Sequence, residues 1–558
     1  MALPGSNESY AQLNRDAAVL RQEALDNPAL RSAEEESARR HALAVMAEHM
    51  LQPATVHTLE IHGARNTRKS FLDPIFGPLV DDAHNVGTTL GDVLAEVQAA
   101  VGKLERLEIY HPNPTVHFAD ARQRDPTAAA SDVDIAVRVA ELPRFRLNTG
   151  TDLGNTEGSA YGNLLWRNIF GGAESLSLNA SAGTRTRSAY SAVLAAPVVL
   201  RGSSSSSLIT PDDLRVSVEG LTSATQKPWA SHEEALTAGT LRLAWRTSQG
   251  DTHSVAYGSA WRQLTGLGAG AGDSLKSALS HAYTRDHRDN PLLPQSGYLV
   301  RTASELAGWG PLGGDVAFAK VEAAVSGAVP VSLPFLSASS SSPSPSGSAS
   351  SSGSSSSSSS SSSAASPPSP SSLSLADSGV SVGGSFRAGV LYPLPFGYNL
   401  LAGGAVPSRL NDRFLLGGPA DVRGFKQGGL GPHDGADAVG GDVFAAGSVH
   451  MLVPVTRAGR ASPLRLQLFA NGGGAGGAVG RRTKATPEPG SAGAVARSVV
   501  AAVQDVARGG LPSTAVGLGL VYAHPVARFE LNFSLPLVLR RGEEGRKGFQ
   551  VGVGINFL

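Results

Sequence analysis

The chain has 558 residues, and its 47 basic and 47 acidic side chains cancel to a net charge of +0. No global basic field exists to coat a nucleic acid. The absence of cysteine excludes a disulfide scaffold, thiolate zinc sites and cysteine catalysis.

Charged residues, at 17%, fall below the roughly 25% of ordinary soluble domains, whereas glycine, at 65 residues, is over-represented. No apolar stretch reaches the roughly 18 residues that a spanning helix needs. The longest, Ala189 to Leu200, is broken by Tyr190, Ser191 and Pro197. A membrane role therefore requires a β-barrel, whose strands need only about 10 alternating residues each. Glu8, Asp16 and Glu23 interrupt the N-terminus and no apolar core follows them, so no secretory leader is expected. The cluster Glu34-Glu35-Glu36 argues against a transit peptide.

Residues 1–53 read as a helical N-terminal extension. From 8 to 52 the chain is rich in Ala, Leu, Glu and Arg, with no glycine and proline only at Pro28. Residues 54–142 change character. Val56 to His62 alternates as a strand and ends at Gly63. Helices are expected near 69–79 and 89–104, where Leu90, Val93, Leu94, Val97, Val101 and Leu104 recur at helical spacing. Strands are expected over Leu107 to Phe118 and Val133 to Glu141, giving a compact α+β module.

From 144 to 558 short alternating strands repeat, as in Leu176 to Ser181, Leu464 to Leu468 and Phe529 to Leu535. One apolar face and one small or polar face suit lipid outside and water inside, and the length suits roughly 16 antiparallel strands. The fold class expected is therefore an all-β transmembrane barrel behind one N-terminal α+β domain. Residues 337–372 are almost pure serine and read as a disordered loop insertion within the barrel; Ser203 to Ser207 is similar.

Within the barrel, Gly417, Gly418 and Gly424 flank a single arginine, Arg423. From the residues alone this is either an ordinary outer loop with an incidental arginine or a loop folded tightly enough to hold a guanidinium against an inner wall, where it needs an acceptor. At the C-terminus Phe549, Val551, Val553, Ile555 and Phe557 alternate with Gln550, Gly552, Gly554 and Asn556, so one face is expected toward lipid and the other toward the lumen.

Enzyme motifs fail. His287-Arg288-Asp289 lacks the remaining kinase elements, and the glycines from Gly472 to Gly477 lead into no helix. No metal-binding histidine spacing and no P-loop occur. Neither a cofactor nor a nucleotide is expected.

Several motifs carry a resemblance. Ile61, Gly63 and Thr67, with Val137, Val139 and Glu141, resemble the opening and closing of a polypeptide-transport-associated (POTRA) domain. The stretch Gly417-Gly418 to Val422-Arg423-Gly424-Phe425 resembles the sixth-loop signature of the outer-membrane protein assembly (bacterial surface antigen) superfamily. Asp286, Arg288 and Asp289, with Pro291, Pro294 and Gly297, resemble its "D-x-R-D-x-P…P-x-x-G" strand motif. The stretches 154–159 and 168–174 resemble the first hairpins of its mitochondrial sorting-and-assembly branch. Asn471 stands where bacterial relatives carry the Asp that pairs with the loop arginine. The resemblance thus implies a hydrogen bond from Arg423 to the Asn471 carbonyl rather than an ion pair. Gln550, Gly552, Ile555 and Phe557 fit the β-signal of mitochondrial barrels.

A single POTRA-like domain favours the mitochondrial branch. The resemblance implies folding and insertion of β-barrel precursors at the mitochondrial outer membrane, by strand templating at a lateral seam. The implied partners are unfolded precursors, peripheral subunits of an assembly complex and the lipid bilayer, with no nucleic acid. A chloroplast outer-envelope translocation or assembly pore is the alternative, and a passive porin-like channel a lesser one.

Overall fold

The computed structural model describes residues 47–80, 88–154, 157–199, 212–266, 272–308, 313–331, 379–394, 408–455, 462–476, 511–524 and 528–554, with scattered positions at 37–45, 404–405, 490–491 and 499–506. The serine-rich stretch 337–372, the Ser203 to Ser207 run, most of the N-terminal extension and Ile555 to Leu558 lie outside the described residues. The chain divides into two compact units, one holding residues up to Pro143 together with Phe170–Ala173, the other most of the remainder.

In the first unit, β1 (Thr55–His62), α1 (Lys69–Val80), α2 (Leu90–Arg106), β2 (Thr115–Asp120) and β3 (Asp132–Arg138) follow in order. The sheet runs β1-β3-β2, with β1 parallel to β3 and β2 antiparallel to it. A parallel pair needs a crossover, and the two helices supply it. Leu72, Ile75 and Phe76 of α1 and Val93, Val97 and Leu104 of α2 pack on Val56, Ile135 and Val137 of the sheet. Thr89 caps α2 in a box with Asp92.

The two halves of the POTRA-like pattern meet at Glu141. Its carboxylate accepts from the Asn66 N–H (2.9 Å) and the Thr67 hydroxyl (3.1 Å). The strand expected from Leu107 begins only at Thr115. Glu108 and Asn113 take positive φ (58° and 63°), which breaks the extended run that Leu107 and Ile109 suggest.

The second unit is one 16-stranded antiparallel sheet in which every strand pairs with its neighbours in chain order. It comprises β4 (Phe145–Gly154), β5 (Glu157–Arg167), β6 (Ser175–Gly183), β7 (Thr186–Pro197), β8 (Asp212–Lys227), β9 (His232–Arg246), β10 (Thr252–Thr265) and β11 (Gly272–Asp286). Then follow β12 (Gly297–Ala307), β13 (Phe318–Pro330), β14 (Ser381–Pro393), β15 (Val443–Pro454), β16 (Leu464–Gly476), β17 (Ser513–Ala523), β18 (Arg528–Val538) and β19 (Gly548–Gly554). The first strand, β4, and the last, β19, come within 8 Å of each other.

Burial along these strands is the reverse of a soluble sheet. On β18 Phe529, Leu531, Phe533 and Leu535 are exposed, whereas Arg528, Glu530, Asn532 and Ser534 are buried. On β16 Leu466 and Leu468 are exposed, while Arg465 and Gln467 are buried. An apolar exterior around a polar interior is what a bilayer selects in a barrel. No described helix is long and apolar enough to cross a membrane.

Candidate functional site

The lumen is occupied by the connection between β14 and β15, described from residue 408 to 442. Its fold depends on glycine at particular points. Gly417 has φ +111°, and a β-carbon there would lie 2.7 Å from the Lys426 carbonyl oxygen. Gly424 has φ +88°, and a β-carbon would lie 2.6 Å from that of Ala515 on β17. Only glycine permits both the turn and the close approach to the wall. The Gly417 N–H donates to Asp421 Oδ2 (2.8 Å), which tightens the bend. Val422, Phe425, Leu416 and Leu430 are buried in one apolar cluster with Phe414 and Ala515.

This knot projects Arg423 onto the barrel wall. Its Nε donates to Glu530 Oε2 (2.9 Å) and its Nη2 to Glu530 Oε1 (3.1 Å), with both side chains fully buried. The guanidinium also lies over the Phe469 ring, 5.1 Å from its centroid. Glu530 is shared: Arg528 Nη2 reaches Oε1 at 2.6 Å, and Asn532 Nδ2 donates to Oε2 at 2.7 Å.

The acceptor expected at Asn471 is thereby corrected. With its amide oriented to face donors with its oxygen, Asn471 accepts from the Arg423 main-chain N–H (2.6 Å) and donates to the Arg423 carbonyl (3.2 Å). Asn471 holds the loop backbone, and the side chain makes an ion pair after all, with a carboxylate two strands further on.

The loop tip is also joined to the last hairpin. The Gly424 N–H donates to Gln550 Oε1 (2.9 Å), and Gln550 Nε2 donates to the Phe425 carbonyl (3.3 Å). The Arg546 N–H donates to the Gly424 carbonyl (2.8 Å), and the Lys426 N–H to the Glu544 carbonyl (3.1 Å). On β19 Phe549 and Val551 are exposed, while Gln550 and Gly552 are buried. Ile555 and Phe557 lie outside the described residues.

A second anchor was not anticipated from the sequence. Asp412, at the loop's start, takes Arg262 Nη1 at 2.7 Å and Nη2 at 3.1 Å, and Lys276 Nζ at 3.2 Å. Lys320 donates to its carbonyl at 2.9 Å. The loop is thus tied to β10, β11 and β13 at one end and to β16, β18 and β19 at its tip. Glu530 and Asp412 share a signal that sequence inspection passes over, a lone carboxylate at an inward or buried position, which requires cationic partners.

The Asp286–Arg288–Asp289 motif lies apart from Arg423 and builds a turn. Asp286 accepts from Arg288 Nε (2.9 Å) and Nη2 (2.7 Å), and Asp289 Oδ1 accepts from the Gln295 (3.0 Å) and Ser296 (3.1 Å) N–H groups. Gly297, at φ +97°, closes it where a β-carbon would strike the His287 carbonyl oxygen at 2.1 Å. The turn reaches the loop's partner indirectly, because Arg528 Nη1 donates to the Leu292 carbonyl (3.2 Å).

Residues 168–557 match the Omp85 superfamily domain. The chain belongs to the Omp85 superfamily. A SAM50-like protein of Schizosaccharomyces pombe is 32% identical over 92% of this chain and 93% of that one. The sorting and assembly machinery component 50 homolog of Homo sapiens is 28% identical over 84% of each chain. Among solved structures, BamA from Haemophilus ducreyi lacking POTRA domains 1–3 superposes with a TM-score of 0.61 at 14% identity, covering 90% of this chain and 84% of that one. That likeness gives the Omp85 barrel its fold counterpart. In this Omp85 chain, the glycine-bounded arginine loop, its carboxylate and the last strand form one hydrogen-bonded assembly.

Proposed function

We propose that the chain folds and inserts β-barrel precursors into the mitochondrial outer membrane, templating client strands at the seam between β4 and β19. The observation that carries this reading is the state of the seam. The two end strands approach within 8 Å, yet among the described residues they share no hydrogen-bonded ladder. The last strand pairs with β18 on one side and with the loop tip from the lumen.

An unpaired strand edge in hydrocarbon leaves backbone donors and acceptors unsatisfied at a cost of several kcal/mol per group. A client strand relieves that cost by strand addition, a recognition mode that depends on main-chain hydrogen bonds and tolerates varied side chains. Gly552 lowers the side-chain packing that would otherwise seal the seam. The membrane-buried work is non-covalent: each client strand pairs, presents a new edge and templates the next. The arginine loop braces the lumen behind the seam while the strands exchange. In the first unit β2 is a largely exposed edge strand, suited to holding unfolded segments before insertion. Precursors, peripheral subunits and lipid are the partners in this scheme.

The test uses cysteine pairs across β4 and β19, in a chain that has no cysteine of its own. Oxidation should stop precursor insertion while the barrel stays folded, and reduction should restore it. Insertion at the unlocked rate through an oxidised seam overturns the mechanism.

A further inference from the structure

On the outer wall, neighbouring strands bring two histidines into contact. The register sets Trp245 of β9, His253 of β10 and Tyr283 of β11 in one row, with His281 two residues from Tyr283 along β11. These side chains take the exterior face. On β10 His253 shares its parity with the exposed Trp261, whereas Arg262 reaches the buried Asp412. On β11 His281 and Tyr283 share theirs with the exposed Leu275, whereas Lys276 reaches the same Asp412.

Their height on the wall leaves them in reach of water. His253 follows the β9–β10 turn by two residues, and Asp251 at that turn accepts from the Tyr283 hydroxyl (3.2 Å) and Arg285 Nε (2.8 Å). Tryptophan, tyrosine and a charged pair together mark the level at which lipid gives way to water. Both imidazoles are only half-buried there.

Nδ1 of His253 and Nε2 of His281 face each other at 3.3 Å. Two neutral imidazoles hold such a contact only in tautomers that place one proton between them. The same span suits two ligands on one metal, because nitrogens about 2.0–2.1 Å from a tetrahedral zinc lie about 3.3–3.4 Å apart. The His253 ring is also set in advance. Trp245 lies almost parallel to it, with centroids 5.4 Å apart and an interplanar angle of 6°, and Tyr283 packs at 4.9 Å. A ligand oriented before binding loses little freedom on capture. The two histidines are 28 residues apart, so strand register makes this pair and no local spacing announces it.

We propose that His253 and His281 form a binding site for a divalent transition metal of the zinc class on the outer rim of the barrel. Imidazole suits zinc, copper and nickel, whereas magnesium and calcium take oxygen ligands. Among the described residues no third histidine or carboxylate completes a cluster, so water or lipid oxygens fill the remaining positions. The bound metal staples β10 to β11. Binding depends on neither the seam nor the arginine loop.

The experiment titrates the purified, untagged full-length chain, in chelator-free non-ionic detergent, with zinc chloride and separately with magnesium chloride, read by calorimetry. A saturable zinc site is expected, with magnesium far weaker. His253→Gln and His281→Gln should each weaken zinc roughly tenfold or more, since loss of a residue that merely orients a ligand already costs about 10–100-fold. Either variant suffices if the other does not fold. Copper(II) quenches a neighbouring indole, so it should lower the tryptophan fluorescence of the native chain saturably. Trp245→Phe keeps an aromatic ring on His253 and should abolish that quenching while zinc still binds. No saturable zinc binding, equal binding of magnesium, unchanged zinc affinity in the histidine variants, or saturable quenching that persists in Trp245→Phe overturns the proposal.

Discussion

The guanidinium of Arg423 and the carboxylate of Glu530 meet at two points, 2.9 and 3.1 Å, with neither side chain exposed to solvent. A planar fork on a carboxylate fixes orientation as well as distance. The pair is not isolated, since Arg528 holds the same carboxylate from the strand wall. One carboxylate between two guanidiniums makes the loop's position and the wall's electrostatics a single problem, and it gives the two members of the pair different weights.

Arg423→Ala leaves Glu530 with Arg528 and Asn532, so the barrel should remain folded while the loop loses its anchor. Glu530→Gln leaves two buried guanidiniums facing each other with no counter-charge. Breaking a buried pair in that way costs about 3–5 kcal/mol. The heat-induced unfolding midpoint of the barrel should therefore fall further for Glu530→Gln than for Arg423→Ala, although both impair precursor assembly. Equal midpoints would show that Arg528 does not depend on Glu530. Arg423→Lys should behave close to Arg423→Ala in assembly, because an ammonium cannot span both carboxylate oxygens.

The outer wall was legible because a bilayer demands apolar residues on every exterior position, and period-two alternation records that demand in each strand separately. The loop was legible for a local reason too: its glycines and its arginine lie within nine residues of one another, Gly417 to Phe425. The partner of Arg423 was not, because Glu530 lies 107 residues away, and alternation says which face a residue takes but not which inward residue a distant loop will meet. The Asp412 anchor is hidden for the same reason, since Arg262 is 150 residues distant. The segment after α2 failed differently. Leu107 and Ile109 alternate like a strand, but Glu108 adopts φ 58°, and a backbone angle leaves no trace in hydropathy.

Gly424→Ala tests the close approach. The substitution places a β-carbon 2.6 Å from that of Ala515 and imposes φ +88° on an L-residue. Backbone strain of this kind costs about 1–3 kcal/mol. The expected result is a lower unfolding midpoint together with impaired precursor assembly. Adding Ala515→Gly removes the contact and leaves the strained angle, so it should restore part of the loss. Full restoration would assign the whole effect to crowding, and none would assign it to the backbone.

The first unit carries an acid-sensitive helix start. The Thr89 hydroxyl and N–H hold the Asp92 carboxyl below its ordinary value, and the Thr55 hydroxyl, 2.5 Å from Asp132, does the same there. A carboxylate with a depressed folded pKa stabilises above its unfolded value, near pH ~4, and that contribution disappears as pH falls through the lower folded value. Hydrogen-exchange protection factors on α2 should therefore fall below about pH 4, and Asp92→Asn should flatten that dependence. Thr89→Ala should cost about 1 kcal/mol of protection at neutral pH.

The loop's two anchors give the last test. Asp412 is fixed to Arg262, Lys276 and Lys320 on one part of the wall. The tip is fixed to the last strand by Gln550, which offers an acceptor to the Gly424 N–H and a donor to the Phe425 carbonyl. Gln550→Leu keeps a side chain of similar length and removes both contacts, a loss of about 0.5–1.5 kcal/mol for each hydrogen bond. Asp412→Asn removes the charge that Arg262 and Lys276 share. If the loop behaves as one rigid strut, the Arg423–Glu530 pair and the contact left in each single variant keep it seated, and tryptic cleavage after Arg423 and Lys426 should stay slow. The double variant should expose those bonds and accelerate cleavage by more than the product of the two single effects, a coupling expected when two contacts hold one body. A double variant whose cleavage rate equals that product would show that the two ends move independently. Client assembly should follow the cleavage pattern, because the loop braces the strand at the seam only while it stays seated.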